Sequence, residues 1–124
     1  MKVDSLKLRL QELVGEVNTT NAGCLKFHQQ QKTEGNMSFI GGNGRLYVQP
    51  SSLGYDISLS GKSLEKEMYP FMRELCGSEC TGYKQPNRSI GKKDQPFWRV
   101  ESFELVKEAV YRYSKTIKGT SIYC

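Results

Sequence analysis

The stretch MSFIGGNGRLYVQ, residues 37–49, sets two short apolar runs on either side of Gly41-Gly42-Asn43-Gly44. Glycine and asparagine tolerate the positive φ that tight hairpins demand, so these four residues are the clearest turn in the chain. The runs Met37–Ile40 and Arg45–Gln49 are therefore expected to be strands. Downstream, Tyr55, Ile57 and Leu59 alternate with Asp56, Ser58 and Ser60. A period of two argues for a sheet with one buried face and one wet face. With a further apolar run at Cys24–Phe27 the simplest solution is an antiparallel meander of three or four strands, to which Phe97–Val100 adds a last one.

Helices flank this meander. Leu6, Leu10, Leu13, Val14 and Val17 fall on one face of a 3.6-residue repeat, with Asp4 or Ser5 able to cap it and loop chemistry beginning near Asn18. Leu64, Met68, Phe71, Met72 and Leu75 repeat the pattern between a capping Ser63 and a stop at Gly77. Pro70 interrupts this second helix, so either the helix kinks there or a short turn precedes a helix beginning at Pro70. Ser102 caps a last helix in which Phe103, Val106, Val110 and Tyr113 share a face, while Lys115 and Lys118 suit its C-terminal end.

The predicted fold is α+β: a small antiparallel sheet of three to five strands packed by an N-terminal, a middle and a C-terminal helix. It spans residues 1–124 as a single domain, with a long basic loop at 82–96 and a frayed tail at 119–124. A chain of 124 residues buries enough surface to hold a core without staples. No apolar run approaches the roughly 18 residues of a membrane span. The N-terminal MKVDSLKLRLQELVGEV alternates charge with leucine rather than forming a secretory signal. A cytoplasmic protein without a membrane partner is expected, its Cys24, Cys76, Cys80 and Cys124 being thiols.

The formal net charge is +5, and its distribution is uneven. The segment from Gly82 to Arg99 carries Lys84, Arg88, Lys92, Lys93 and Arg99 against Asp94, interleaved with Tyr83, Phe97 and Trp98. Cations of this kind neutralise phosphates, Asn87 and Gln85 can hydrogen-bond base edges or sugars, and the rings can stack on exposed bases. The segment can equally be a solvated loop, with Phe97 or Trp98 turned inward, because neighbouring strand residues face opposite sides. Gly41–Gly44 can present amides to an anion, but a hairpin needs the same glycines; Arg45 matters only if it shares a surface with the basic segment.

Two functional readings follow. The first is a nucleic-acid-binding module, DNA favoured over RNA by general frequency alone, that uses Tyr83, Lys84, Asn87, Arg88, Lys92, Lys93, Trp98 and Arg99, helped by Arg45, Arg112 and Lys115. The second is a protein-interaction module, a small inhibitor or adaptor, that docks the same loop on an acidic protein surface of a larger complex.

Catalytic and cofactor signatures are sparse. His28 is the sole histidine, and no Gly-x-Ser-x-Gly or phosphate-binding Gly-x-x-x-x-Gly-Lys run occurs. Asp56, Glu65 and Glu67 can in principle hold Mg²⁺ for a nuclease, although acids at a helix start also serve its dipole. Cys24, His28, Cys76 and Cys80 have the donor set for zinc, but a strand over 24–28 would spread the first two by about 13 Å. No cofactor and no metal is expected.

Overall fold

The computed structural model describes residues 2–21, 25–29, 37–41, 44–84 and 95–120. In chain order these form α1 (Lys2–Asn21), β1 (Lys26–Gln29), β2 (Met37–Gly41), β3 (Gly44–Ser51), β4 (Gly54–Ser60), α2 (Lys62–Cys76), β5 (Gly82–Lys84), β6 (Gln95–Val100) and α3 (Phe103–Thr120). The strands make one six-stranded sheet in the order β1-β2-β3-β4-β6-β5. Each neighbouring pair is antiparallel. The α+β class and the three helices agree with the sequence; the sheet exceeds the expected three to five strands because Gly82–Lys84, inside the expected loop, pairs with β6.

Hairpin register follows the pattern of apolar residues. Gly41 faces Gly44 across the turn, and Phe39, Leu46, Leu59 and then Val48, Ile57, Trp98 come into line across the strands. All of these side chains are buried and join one cluster with Leu6, Leu10, Leu13 and Val17 of α1, Leu64, Met68 and Met72 of α2, and Val106, Val110 and Tyr113 of α3. Burial of this apolar surface, at about 25 cal/mol per Å², drives the assembly. All three helices lie on the face of the sheet that these residues share, α3 touching both α1 and α2. Tyr113, fully buried on α3, sets its hydroxyl between the carbonyls of Phe39 (2.7 Å) and Gly44 (2.6 Å), which share its single proton. One side chain thus ties the central helix to both strands of the first hairpin.

Several element boundaries differ from the sequence reading. α1 runs to Asn21, beyond Asn18, and Asp4 and Ser5 lie inside it rather than capping it. Asn18 instead clamps Leu25: its carboxamide accepts from the Leu25 amide at 2.8 Å and donates to the Leu25 carbonyl at 2.9 Å. Leu25 is thereby occupied before the sheet begins, so β1 starts at Lys26 rather than at Cys24, a residue outside the described set. α2 is one helical element through Pro70, and its N-cap is Gly61, with Ser63 inside the helix. Pro70 is tolerated because it and Lys66 are exposed, so the carbonyl that loses its donor meets water. Gly77 ends the helix in the left-handed conformation at φ 73°, as expected of a glycine stop. The Glu104 amide donates to Ser102 Oγ at 3.1 Å, the cap expected for α3. Gly119 and Thr120 belong to that helix, and 121–124 lie outside the described residues.

Replacing Tyr113 by Phe keeps the ring and removes the proton shared by the buried Phe39 carbonyl and the part-buried Gly44 carbonyl. Equilibrium urea unfolding should show a loss of about 1–3 kcal/mol with an unchanged far-ultraviolet spectrum; unaltered stability would mean that the hydroxyl does not hold α3 to the hairpin.

Candidate nucleic-acid interface

None of the three helices covers the second face of the sheet, and the pleat sends a different population there. Across the strands, His28 lines up with Ser38, Ser38 with Tyr47, Tyr47 with Ser58, Ser58 with Phe97 and Phe97 with Gly82. Rings therefore alternate with small residues along one row. Ser38 and Ser58 are buried between their larger neighbours, Tyr47 and Phe97 are half-buried, and His28 is exposed. Phe97 lies so close over Gly82 that a Cβ there would meet its ring at 3.0 Å, so a side chain at 82 would push the ring away.

The next row toward the Gly41–Gly44 turn is cationic. Lys26 pairs in register with Ile40 and Ile40 with Arg45, and both Lys26 and Arg45 are exposed. Arg45 pairs with Ser60, whose hydroxyl accepts from the Gln95 carboxamide at 3.4 Å. Gln95 in turn pairs with Lys84. Lys84 and Gln95 are the two residues between which the segment 85–94 is strung, so both its ends reach the sheet on the row that holds Arg45.

The opposite flank of the ring row is an ion pair. Arg99 makes a bidentate contact with Asp56, Nε to Oδ1 at 2.8 Å and an Nη to Oδ2 at 3.0 Å, and its guanidinium lies 5.6 Å from the Phe97 ring centroid. The hydrogen bond to Asp56, followed by its negative charge, raises the Arg99 pKa above the ordinary guanidinium value. Asp56 is only 2% exposed, so the wet face expected from the alternation of β4 is in fact partly closed, with Asp56 and Ser58 beneath longer residues of β3 and β6.

Of the residues singled out in the sequence, Arg45 and Arg99 share this face, Arg99 with its charge engaged by Asp56. Lys84 meets Gln95 in register as described. Trp98 is core: it is 1% exposed, donates its indole N–H to the Ser78 carbonyl at 3.2 Å and packs edge-on against Tyr69, so it offers no ring to a ligand. Tyr83 is 57% exposed but pairs with Pro96, and the pleat turns it to the helical side, away from Arg45. Arg112 stacks on Phe71 between α3 and α2, also on the helical side, and Lys115 belongs to the same helix. Asn87, Arg88, Lys92 and Lys93 lie outside the described residues. The sequence reading missed Lys26, His28 and Tyr47. The alternation of Arg45, Tyr47 and Gln49 with Leu46 and Val48 carried the signal for Tyr47, because whatever face held Leu46 had to turn Tyr47 to the other.

The carboxylate set considered for Mg²⁺ does not assemble. Asp56 is held by Arg99 on the second face, whereas Glu65 and Glu67 belong to α2 on the first. No group of three or more His, Cys, Asp or Glu side chains that could hold a metal occurs among the described residues. Cys76 and Cys80 sit at and beyond the end of α2 as free thiols, burial raising the Cys76 pKa. A cleft of about 570 Å³ between α1 and the start of α3 is lined by Glu12, Glu16 and Glu104 with Arg9 and Lys107. It is acidic on balance and lies behind the sheet. No helix among the described residues is long and apolar enough to cross a membrane. Comparison with protein-family models, curated proteins and solved structures found no match.

The bidentate pair makes a signed prediction. Arg99→Ala takes the bidentate guanidinium from a buried carboxylate and should lower the urea midpoint, and adding Asp56→Ala should recover part of that loss, because the buried charge is then gone. Strictly additive losses would mean that the two side chains act independently.

Proposed function

We propose that this chain is a nucleic-acid-binding module that meets phosphates with the helix-free face of its sheet and the basic segment attached to it. The observation that carries the reading is the common row: Arg45 pairs with Ser60, Gln95 reaches Ser60, and Lys84 pairs with Gln95, so a sheet cation and both ends of the segment holding Arg88, Lys92 and Lys93 fall on one line. Lys26 extends the line at the far strand. Lys26 and Arg45 stand two strands apart, about 10 Å, close to the Debye length of about 8–10 Å at physiological salt, so their fields add, whereas Lys84, three strands beyond Arg45, adds to them only weakly.

The same arrangement bears on the competing reading, a module that docks on an acidic protein surface. Tyr83 and Leu53 are the sort of exposed large side chains such an interface uses. Yet Tyr83 lies on the helical side, so a partner gripping it would not simultaneously reach Arg45. The phosphate reading needs only Lys26, Arg45 and the two ends of the basic segment, which share one row.

Mobility shift with a mixed-sequence oligonucleotide across a salt series tests the reading. Binding should weaken steeply with salt. Arg45→Ala, and separately Lys92→Ala with Lys93→Ala, should lower affinity across sequences and reduce the logarithmic salt slope by about 0.7–0.9 per phosphate contact removed. Purified protein that carries no absorbance excess at 260 nm and shifts no oligonucleotide at low salt would leave the reading without support.

A further inference from the structure

We infer that the nucleic acid is a single strand lying across the helix-free face, its bases against Tyr47 and the neighbouring rings and its phosphates against Arg45 and Lys26. This rests on the nucleic-acid reading above and narrows it to unpaired strands.

Geometry supplies the first argument. Six strands at about 4.8 Å separation make a face about 24 Å across. The major groove of a duplex is about 12 Å wide and admits a helix or a two-stranded ribbon. A six-stranded face cannot enter it, so this surface reaches a duplex only at its outer phosphates and its rings would have nothing to stack on. An unpaired strand has no such limit, because its bases present their flat faces outward.

The composition of the ring row supplies the second. His28, Tyr47 and Phe97 stand on alternate strands, about 10 Å apart, with Ser38 and Ser58 between them and Gly82 beyond. A sheet face meant for bulk water carries long charged side chains at such positions, and one meant to be covered by a helix or another sheet carries aliphatic ones. Here the serines are buried and the two carbocyclic rings are half-buried, so the face is a low relief of rings, Tyr47 with a polar tip and Phe97 without. Stacking on rings is tolerant of base identity, since every base has a π-face.

Charge placement supplies the third. Arg45 is two residues from Tyr47 on the same strand, and Lys26 is two residues from His28. Residues two apart on a strand project from the same face about 6.6 Å apart. His28 and Tyr47 therefore each have a cation at the offset that separates a base from its backbone phosphate, while the same offset from Phe97 holds Gln95. On the other side of the row the guanidinium of Arg99 is held down by Asp56 beside Phe97, so excess positive charge lies on one flank only. A strand laid across β1 to β6 would keep its phosphates on the Lys26–Arg45 flank and its bases over the row of rings.

Fluorescence anisotropy with a labelled oligothymidylate, an oligouridylate and a hairpin duplex of equal charge tests this. Both single strands should bind at least about tenfold more tightly than the duplex. Tyr47→Ala should weaken single-strand binding by about five- to a hundredfold while leaving duplex binding and the salt slope unchanged. Tyr47→Leu, which keeps apolar cover over Ser38 and Ser58 and so guards against misfolding, should lose affinity likewise, and Tyr47→Phe should retain it. Arg45→Ala should instead flatten the salt slope for every ligand. Equal affinity for duplex and single strand, or a Tyr47→Leu variant that binds as the parent does, overturns the single-strand inference and leaves the broader reading standing. Failure to bind any of the three at low salt removes both.

Discussion

With the three helices of the described residues spread over one face of the sheet and none of them on the other, the molecule depends on how firmly its middle helix is anchored. Tyr113 provides the anchor, its hydroxyl shared between carbonyls at the end of β2 and the start of β3. The Phe39 acceptor is buried and the Gly44 acceptor part-buried, and an unsatisfied buried carbonyl is costly, which makes the contact specific in position as well as favourable. From α3 the packing extends sideways to α1 and α2, and Arg112 over Phe71 and Arg9 over Phe103 seal the two helix seams at their outer edges. Once the helices are committed to one side, the residues of opposite parity on every strand are necessarily left to a different use.

Much of this architecture could be read from the chain because its elements obey simple periods. Leu6, Leu10, Leu13 and Val17, or Leu64, Met68 and Met72, bury as their spacing requires. β2 and β3 pair on either side of the glycine-rich stretch, with Gly41 opposite Gly44. What was not legible was decided by partners remote in sequence. β5 has three residues and no periodicity of its own, and exists because β6 offers it an edge. Asn18, a loop former by composition, stays helical because its side chain finds Leu25. Asp56, polar and alternating with Ile57, is buried because Arg99, far along the chain, arrives across the strand to meet it.

The candidate surface shows the same division. Cation count pointed to the segment from Gly82 to Arg99, yet counting does not reveal direction. Register separates that segment's rings: Phe97 joins Tyr47, Trp98 enters the core, and Tyr83 turns to the helical side. It also separates its charges, with Arg99 committed to Asp56 while Arg45, from a different strand, aligns with the segment's ends. A basic stretch read as a linear motif is thus resolved by the pleat into parts with different duties, and residues of no linear prominence, Lys26, His28 and Tyr47, take places beside them.

Among the described residues the strands at the two borders of the sheet are its shortest, four residues in β1 and three in β5. A border strand offers unpaired amides and carbonyls to any passing chain, and its length sets how many such bonds a stray neighbour can make. Brief borders, with a lysine in each, give little template for recruitment of another copy. The molecule can therefore keep a broad aromatic face uncovered by helices while remaining a poor seed for cross-molecular strand pairing.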